Sequence, residues 1–191
     1  MREMLELRFK GERDYLHGTD IYNALLPRLQ QHFGEISALD LAFHRIARTQ
    51  LDMVDQNPDG NSAAVCNFTA GLARHTIHLV ESGRPVVRRY PFPEDAIASE
   101  ISFDSVMRSA CLRGQPNHTA IDIWVAMTKA LHKHLLPGTW LFARARLPRP
   151  LPDSPAVERR VRIAAQMGNH LTRCVLSHDG ADHGEIYFAR P

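Results

Sequence analysis

The sequence is poor in cysteine, in lysine and in long apolar runs, and each shortage excludes a class of protein. Its three cysteines are far apart and odd in number, which indicates buried thiols in a reducing compartment rather than a disulfide framework. No apolar run approaches the ~20 residues that span a bilayer. Residues 1–7 lack the apolar core of a signal peptide. We therefore expect a cytoplasmic protein that does not bind membranes.

The sequence also lacks a large excess of either charge, since the formal net charge is only +2 at pH 7. Of the 23 basic residues three are lysines, so 20 are arginines. Genomic composition bias is the simplest explanation, but guanidinium groups also suit phosphate. Arg88, Arg89, Arg144 and Arg146 are therefore candidate substrate-binding residues for phosphate groups. No aromatic residues alternate with them on a basic face, so we expect no nucleic-acid binding.

The 11 histidines do not predict a metal site. In a strand, alternation places His75 and His78 on opposite faces of the sheet. On a helix, His132 and His134 point in different directions. The His- and Asp-rich run 178–183 falls where a plain turn is expected. We therefore expect neither a metal ion nor another cofactor.

Two stretches of the chain resemble one another without a gap when they are displaced by 102 positions, which sets Asp20 on Asp122 and Tyr22 on Trp124. The other matched pairs are Ile21 with Ile123, Ala24 with Ala126, Leu29 with Leu131 and His32 with His134. Each stretch opens with small polar residues and an Asp, which cap helices, and then carries apolar residues at helical spacing. The two stretches predict helices over 20–33 and 122–135.

One proline interrupts the first of these patterns. Pro27 lacks the N–H group that a helix interior needs, so it predicts a kink or a helix that begins only near Leu26. Gly34 predicts the end of that helix.

Alternating apolar residues predict strands before and after both helices. In the first half these are 5–9, an extended segment 36–54, then 62–72, 75–80 and 85–90, with turns at 57–61 and 81–84. In the second half they are 101–103, 139–147, 158–167, 170–176 and 185–190, with a turn at 178–184. The proline-rich run 91–95 is the predicted joint between two units, 1–92 and 93–191. Each unit thus has a strand, a helix and several further strands, which predicts an α+β fold.

This element order resembles the hot-dog fold, in which an antiparallel sheet wraps a central helix. Two such units in one chain resemble a double hot dog fused into one domain. The alternative is an unrelated α+β domain whose internal similarity arose by chance.

The resemblance implies an activity, because hot-dog proteins mostly act on acyl groups carried as thioesters on coenzyme A or acyl carrier protein. The N-terminal amides of a helix offer a site for a thioester oxyanion. A carboxylate there can activate water, and a histidine can move a proton. The candidate catalytic residues are His17, Asp20 and Asn23 at one helix and His118 and Asp122 at the other. Helix capping alone also explains both aspartates, while Tyr22 and Trp124 are either core residues or substrate-binding residues.

Short motifs favour one hot-dog activity over others. One thioesterase branch carries an Asp, a Gly-His pair and a following Asn and Tyr before the helix. Segment 14–23 contains all these residue types, with His17 and Gly18 in the reverse order. The dehydratase signature His-Phe-Pro-Gly is absent, since the run 90–93 reads Tyr-Pro-Phe-Pro. The sequence therefore favours a thioesterase over a 3-hydroxyacyl-thioester dehydratase or a non-catalytic acyl-binding subunit. We also expect a homodimer formed through exposed sheet edges.

Overall fold

The computed structural model describes residues 1–56, 59–93, 97–114, 117–152 and 156–191. The chain forms two compact units: unit 1 comprises Met1–Phe92 with Pro148–Pro150, and unit 2 comprises Pro93–Leu147 with Leu151–Pro191. Each unit contains an antiparallel sheet and one long helix, so the predicted α+β class is confirmed. Glu94 and Asp95 of the predicted joint, and Asn57 and Pro58 of the predicted turn at 57–61, lie outside the described residues.

Both predicted helices are confirmed, and each has 16 residues: α1 is Gly18–Phe33 and α2 is Ala120–Leu135. The N-cap residues are His17 and Thr119, and the C-cap residues are Gly34 and Leu136. The displacement of 102 positions therefore relates not only the sequences but also both ends of the two helices. No helix among the described residues is long and apolar enough to cross a membrane.

Pro27 lies inside α1 and does not set its start. The alternative in which the helix begins near Leu26 is wrong, because His17 caps a helix that already begins at Gly18. Gly34 ends α1 as predicted: its φ is 77°, and its N–H donates to the carbonyl of Gln30. A positive φ at this position favours glycine, which has no Cβ to collide with the backbone.

In the described part of unit 1, the main sheet has five strands and two short strands pair with each other. The main strands are β1 (Arg2–Leu5), β3 (Ile36–Phe43), β4 (Thr49–Val54), β5 (Ala64–Ala70) and β6 (Ala73–Pro85), in the spatial order β1-β4-β6-β5-β3. The short strands β2 (Phe9–Lys10) and β7 (Arg89–Tyr90) pair in parallel.

Several predicted strands of unit 1 have different bounds in the structure. The segment 5–9 divides into the end of β1 and the start of β2, and the segment 36–54 divides into β3 and β4. The predicted turn at 81–84 is wrong, because β6 continues through it to Pro85. Its pairing with β4 shifts register between Thr49 and Leu51, so Gly83, with φ 75°, lies in a bulge rather than a hairpin.

Unit 2 contains six strands among its described residues. They are β8 (Ile101–Asp104), β9 (Ser109–Arg113), β10 (Leu141–Leu147), β11 (Glu158–Met167), β12 (Leu171–His178) and β13 (Ala181–Ala189), in the order β8-β9-β11-β12-β13-β10. β9 has no counterpart among the predicted strands. The predicted turn at 178–184 narrows to Asp179 and Gly180, whose φ values of 50° and 83° allow a tight reversal.

The two units differ in how their last three strands are ordered. In unit 2, β11, β12 and β13 follow one another as neighbours in space. In unit 1, β6 lies between β4 and β5, so the last two strands exchange places relative to unit 2. The helices thus follow one pattern throughout, whereas the strand connections do not.

The helices bury the same positions in both units. In α1 these are Ile21, Tyr22, Leu25 and Leu29, and in α2 they are Ile123, Trp124, Met127 and Leu131, all at most 4% exposed. α1 packs against β1 and β3, and α2 packs against β9 and β11. Burial of this apolar stripe, at roughly 25 cal/mol per Å² of apolar surface, is what holds each helix to its sheet.

Candidate functional site

A polar cluster surrounds the first turn of α1. Nδ1 of His17 lies 2.8 Å from Oγ1 of Thr19 and accepts a 3.4 Å hydrogen bond from the Thr19 N–H. Nζ of Lys10 donates to the same Oγ1 at 2.9 Å. A hydroxyl has one proton to donate, so this arrangement is satisfied when Thr19 accepts from Lys10 and donates to His17. The proton of a neutral His17 then resides on Nε2.

Asp20 is held from outside its own helix. Its Oδ1 accepts a 2.6 Å hydrogen bond from the hydroxyl of Tyr90 and lies 3.6 Å from Nζ of Lys10. The Lys10 side chain is 1% exposed, and its Nζ also lies 3.8 Å from the centroid of the Phe92 ring. A buried ammonium group needs such compensation, because leaving water without partners is very unfavourable.

The short parallel pair β2–β7 brings this cluster together. Its register places Lys10 opposite Tyr90, so one bridge brings both side chains to the start of α1. The guanidinium group of Arg89 closes the adjoining turn by donating to the carbonyls of Gly11 and Arg13. Asp20 is therefore held by two segments outside its own helix, β2 through Lys10 and β7 through Tyr90.

The start of α2 is arranged differently. Oγ1 of Thr119 donates a 2.7 Å hydrogen bond to Oδ2 of Asp122 and accepts from the Asp122 N–H at 3.4 Å. This reciprocal pair resembles a capping box and accounts for an aspartate at this position. His118 is half-buried just before the cap. The two matched aspartates thus differ: Asp122 bonds to its own cap residue, whereas Asp20 bonds to β7.

The amides of the first turn of α1 are mostly occupied. The N–H groups of Asp20 and Ile21 both donate to the carbonyl of His17, and that of Thr19 donates to the His17 ring. Within the described ranges, the N–H of Gly18 makes no hydrogen bond, and the sequence had predicted several such donors. An oxyanion at α1 therefore has one backbone donor available rather than a set.

The remaining sequence candidates lie in varied surroundings. Asn23 is half-buried on α1. Tyr22 and Trp124 are 4% and 2% exposed and lie among core residues. Arg88 is exposed just before β7, while Arg144 and Arg146 lie on β10 of unit 2.

Four members of the α1 cluster escape the sequence analysis: Lys10, Thr19, Tyr90 and Phe92. Lys10 directly follows the predicted strand 5–9 and carries no helix-start signal, and Tyr90 and Phe92 were assigned only to the last strand and the joint. The rarity of lysine was the signal in the sequence. In a chain that carries arginine at most basic positions, Lys10 supplies a compact ammonium group instead of a guanidinium group.

The histidines that the sequence analysis rejected as metal ligands make other contacts. His75 stacks on Phe68, with ring centroids 5.4 Å apart. His132 is buried, and its ring nitrogens lie 2.7 Å from the Thr128 carbonyl and 2.7 Å from Oγ1 of Thr172. In the part of the chain that the structure describes, no group of three or more His, Cys, Asp or Glu side chains could hold a metal ion.

Comparison with known proteins gives likeness in structure only. No protein-family model matches the sequence, and no curated protein matches it. A protein from Thermobifida fusca YX, provisionally assigned as a thioesterase II, superposes with a TM-score of 0.54 at 11% identity, covering 99% of this chain and 93% of that one. A bifunctional dehydratase-cyclase domain of ambruticin biosynthesis superposes with a TM-score of 0.50 at 14% identity, covering 93% of this chain and 82% of that one. The chain therefore has the hot-dog fold.

Proposed function

We propose that the protein is a double hot dog that acts on an acyl thioester, and that the reaction is hydrolysis at the α1 cluster. The matched helices, with caps and ends displaced by the same 102 positions, support the doubling. The likeness to a provisionally assigned thioesterase II, over 93% of that chain, supports the substrate class. Coenzyme A and acyl carrier protein are the candidate carriers of the acyl group.

One observation carries the choice of site. The Asp20 carboxylate is only 12% exposed, yet it receives a hydrogen bond from Tyr90 and lies beside the Lys10 ammonium group. Both neighbours favour its ionised form, as a general base requires. The two hydrogen bonds between Asp122 and Thr119 are instead those of a helix cap.

The proposed reaction assigns a task to each side chain. The Asp20 carboxylate takes a proton from water while the water oxygen attacks the thioester carbonyl carbon. The Gly18 N–H hydrogen-bonds to the oxyanion as it forms. The carbon–sulfur bond then breaks, His17 gives its Nε2 proton to the departing thiolate, and the proton that Asp20 took from water restores His17 to its starting form. Lys10 and Tyr90 do not react; they hold the carboxylate in place.

The test compares two matched variants, Asp20→Asn and Asp122→Asn, which change the same position of the repeated helix. Thiol release is measured over a panel of acyl-CoA and acyl-carrier-protein thioesters. We expect Asp20→Asn to lower the rate by roughly 10²- to 10⁴-fold and Asp122→Asn to leave it nearly unchanged. Equal activity of Asp20→Asn and the unmodified protein would overturn the mechanism.

The same panel distinguishes two other functions. The likeness to a dehydratase-cyclase domain favours a 3-hydroxyacyl-thioester dehydratase as the second candidate. That activity would show as reversible loss of water without release of thiol. Binding of the thioester without either reaction would instead identify a non-catalytic acyl-binding subunit.

A further inference from the structure

The solvent-facing side of the unit 2 sheet carries a group of arginines, which we name the arginine face. Its members are Arg144 and Arg146 on β10, Arg160 and Arg162 on β11, and Arg173 on β12. Directly paired residues of antiparallel strands lie on the same face. Arg144 on β10 is paired with Tyr187 on β13, which is paired in turn with Arg173 on β12, so these three form one row across the strands. In the next such row, Arg146 is paired with Glu185. The rows therefore place these side chains together, opposite the buried side of the sheet.

Glu158, Glu185 and Tyr187 contact the arginines of this face. Glu185 accepts hydrogen bonds from Arg173 at 2.5 Å and from the Tyr187 hydroxyl at 2.7 Å. The guanidinium carbon of Arg144 lies 6.0 Å from the centroid of the Tyr187 ring. Such contacts hold long side chains in defined positions and lower the entropy lost when a ligand binds.

The arginine face retains positive charge after these pairs are formed. Glu158 pairs with Arg160 at 2.9 Å, and Glu185 pairs with Arg173. Arg162 is exposed, and within the described residues its guanidinium group forms no ion pair or hydrogen bond. When Arg113, which pairs with Glu158, and the neighbouring Asp104 and Asp182 are included, six arginines stand against four acidic residues, so the surface keeps a net positive charge.

We infer that the arginine face docks an acidic helix of a partner protein. Alternate residues on a strand are about 6.6 Å apart, which matches the ~6 Å rise between residues i and i+4 of a helix. Carboxylates at that spacing would meet Arg144 and Arg146 on one strand or Arg160 and Arg162 on another. Bidentate pairing of guanidinium with carboxylate gives such a contact its geometry.

The two glutamates favour a protein partner over nucleic acid. Glu158 and Glu185 lie within the face and would repel a continuous run of phosphates. The Tyr187 ring lies against Arg144 and its hydroxyl is bonded to Glu185, so this aromatic is already engaged and not presented for base stacking. A partner helix can instead place neutral residues over the glutamates and acidic ones over the arginines. This inference concerns unit 2 alone and is independent of the reaction proposed at α1.

The experiment uses a labelled helical peptide with glutamates at i and i+4 as the probe, followed by fluorescence anisotropy. We expect binding that weakens as salt rises, and a loss of roughly tenfold or more in Arg146→Gln/Arg162→Gln. The matched control is Arg74→Gln/Arg84→Gln, which removes the same charge from exposed positions of unit 1 and should change affinity by less than about twofold.

Further variants and ligands test whether the loss of binding is due to the arginines and whether the partner is a helix. The charge-preserving variant Arg146→Lys/Arg162→Lys should recover part of the affinity, which a folding defect would not allow. Equal losses in the two Arg→Gln pairs, or no binding of the peptide, would overturn the inference. Tighter binding of a DNA duplex or of anionic lipid vesicles than of the peptide would also overturn it.

Discussion

The hydroxyl of Tyr90 donates a 2.6 Å hydrogen bond to Oδ1 of Asp20, although the two residues are 70 positions apart in the chain. Lys10 lies opposite Tyr90 in the β2–β7 pair and 3.6 Å from the same oxygen. The start of α1, strand β2 and strand β7 therefore meet at one carboxylate. A substitution at Asp20, Tyr90 or Lys10 should therefore alter the contacts of the other two residues.

Lys10→Met should destabilise the protein by about 3 kcal/mol, because it leaves the Asp20 carboxylate beside a buried apolar group. Urea unfolding followed by circular dichroism measures this loss. Asp20→Asn in the Lys10→Met background should cost much less than Asp20→Asn alone, since the charge it removes is then unpaired. Strictly additive losses would show that the two side chains are not coupled.

Pro27→Ala should stabilise the protein by about 1–3 kcal/mol. The residue is exposed in the middle of α1, where alanine restores a backbone donor that proline lacks. Part of the gain is offset because proline also restricts the unfolded chain. The midpoint of urea unfolding should rise, and an unchanged or lower midpoint would mean that α1 requires the proline.

His132 should make stability fall in mild acid. Burial lowers the pKa of His132 below its ordinary value of 6.5, against a hydrogen bond to the Thr128 carbonyl that raises it. The neutral form is therefore favoured in the folded state. Above pH 6.5 the full stability is present, and it is lost as pH falls from there towards the folded-state pKa, because the unfolded chain binds the proton more readily. Unfolding free energies at a series of pH values measure this slope. His132→Gln should flatten it, whereas His134→Gln, on the exposed side of α2, should leave it unchanged.

Two of the three thiols should be inert in the folded protein. Burial raises the pKa of Cys66 and of Cys174 to about 12, and both residues are 0% exposed. Ellman's reagent at pH 8 should therefore modify at most Cys111 until denaturant is added, when all three react. Cys111→Ser removes the remaining background from the thiol-release assay. Rapid reaction of a second thiol in the native protein would show that one unit opens readily.

The helices could be predicted from the sequence because their signals are local. A cap residue lies directly before each helix, and an acidic first turn and an apolar stripe lie within its 16 residues. Asp20 and Asp122 were found for the same reason. The predicted strand bounds were less accurate where a strand contains a bulge, as at Gly83. A glycine in the sequence is compatible with a hairpin turn or with a bulge, so it does not distinguish the two.

The α1 cluster could be predicted only in part, because half of it depends on pairing between distant segments. His17 and Asp20 belong to the helix start and are visible in the sequence. Lys10 and Tyr90 arrive on strands of two residues each, which are too short to show any periodicity. The homodimer and the roles of Asn23 and His118 stay predictions.

The position of β6 between β4 and β5 has a consequence for how the chain emerges during synthesis. When only residues up to Leu72 have been made, β4 and β5 exist but the strand that joins them does not. Each then presents a row of backbone donors and acceptors that nothing yet covers. In unit 2, β12 and β13 each pair with the strand made just before them, but β10 pairs with β13, the last strand of the unit to be made. Each nascent unit thus has strand edges that stay uncovered until its last strand, β6 or β13, is made, and both depend on rapid completion or on a chaperone.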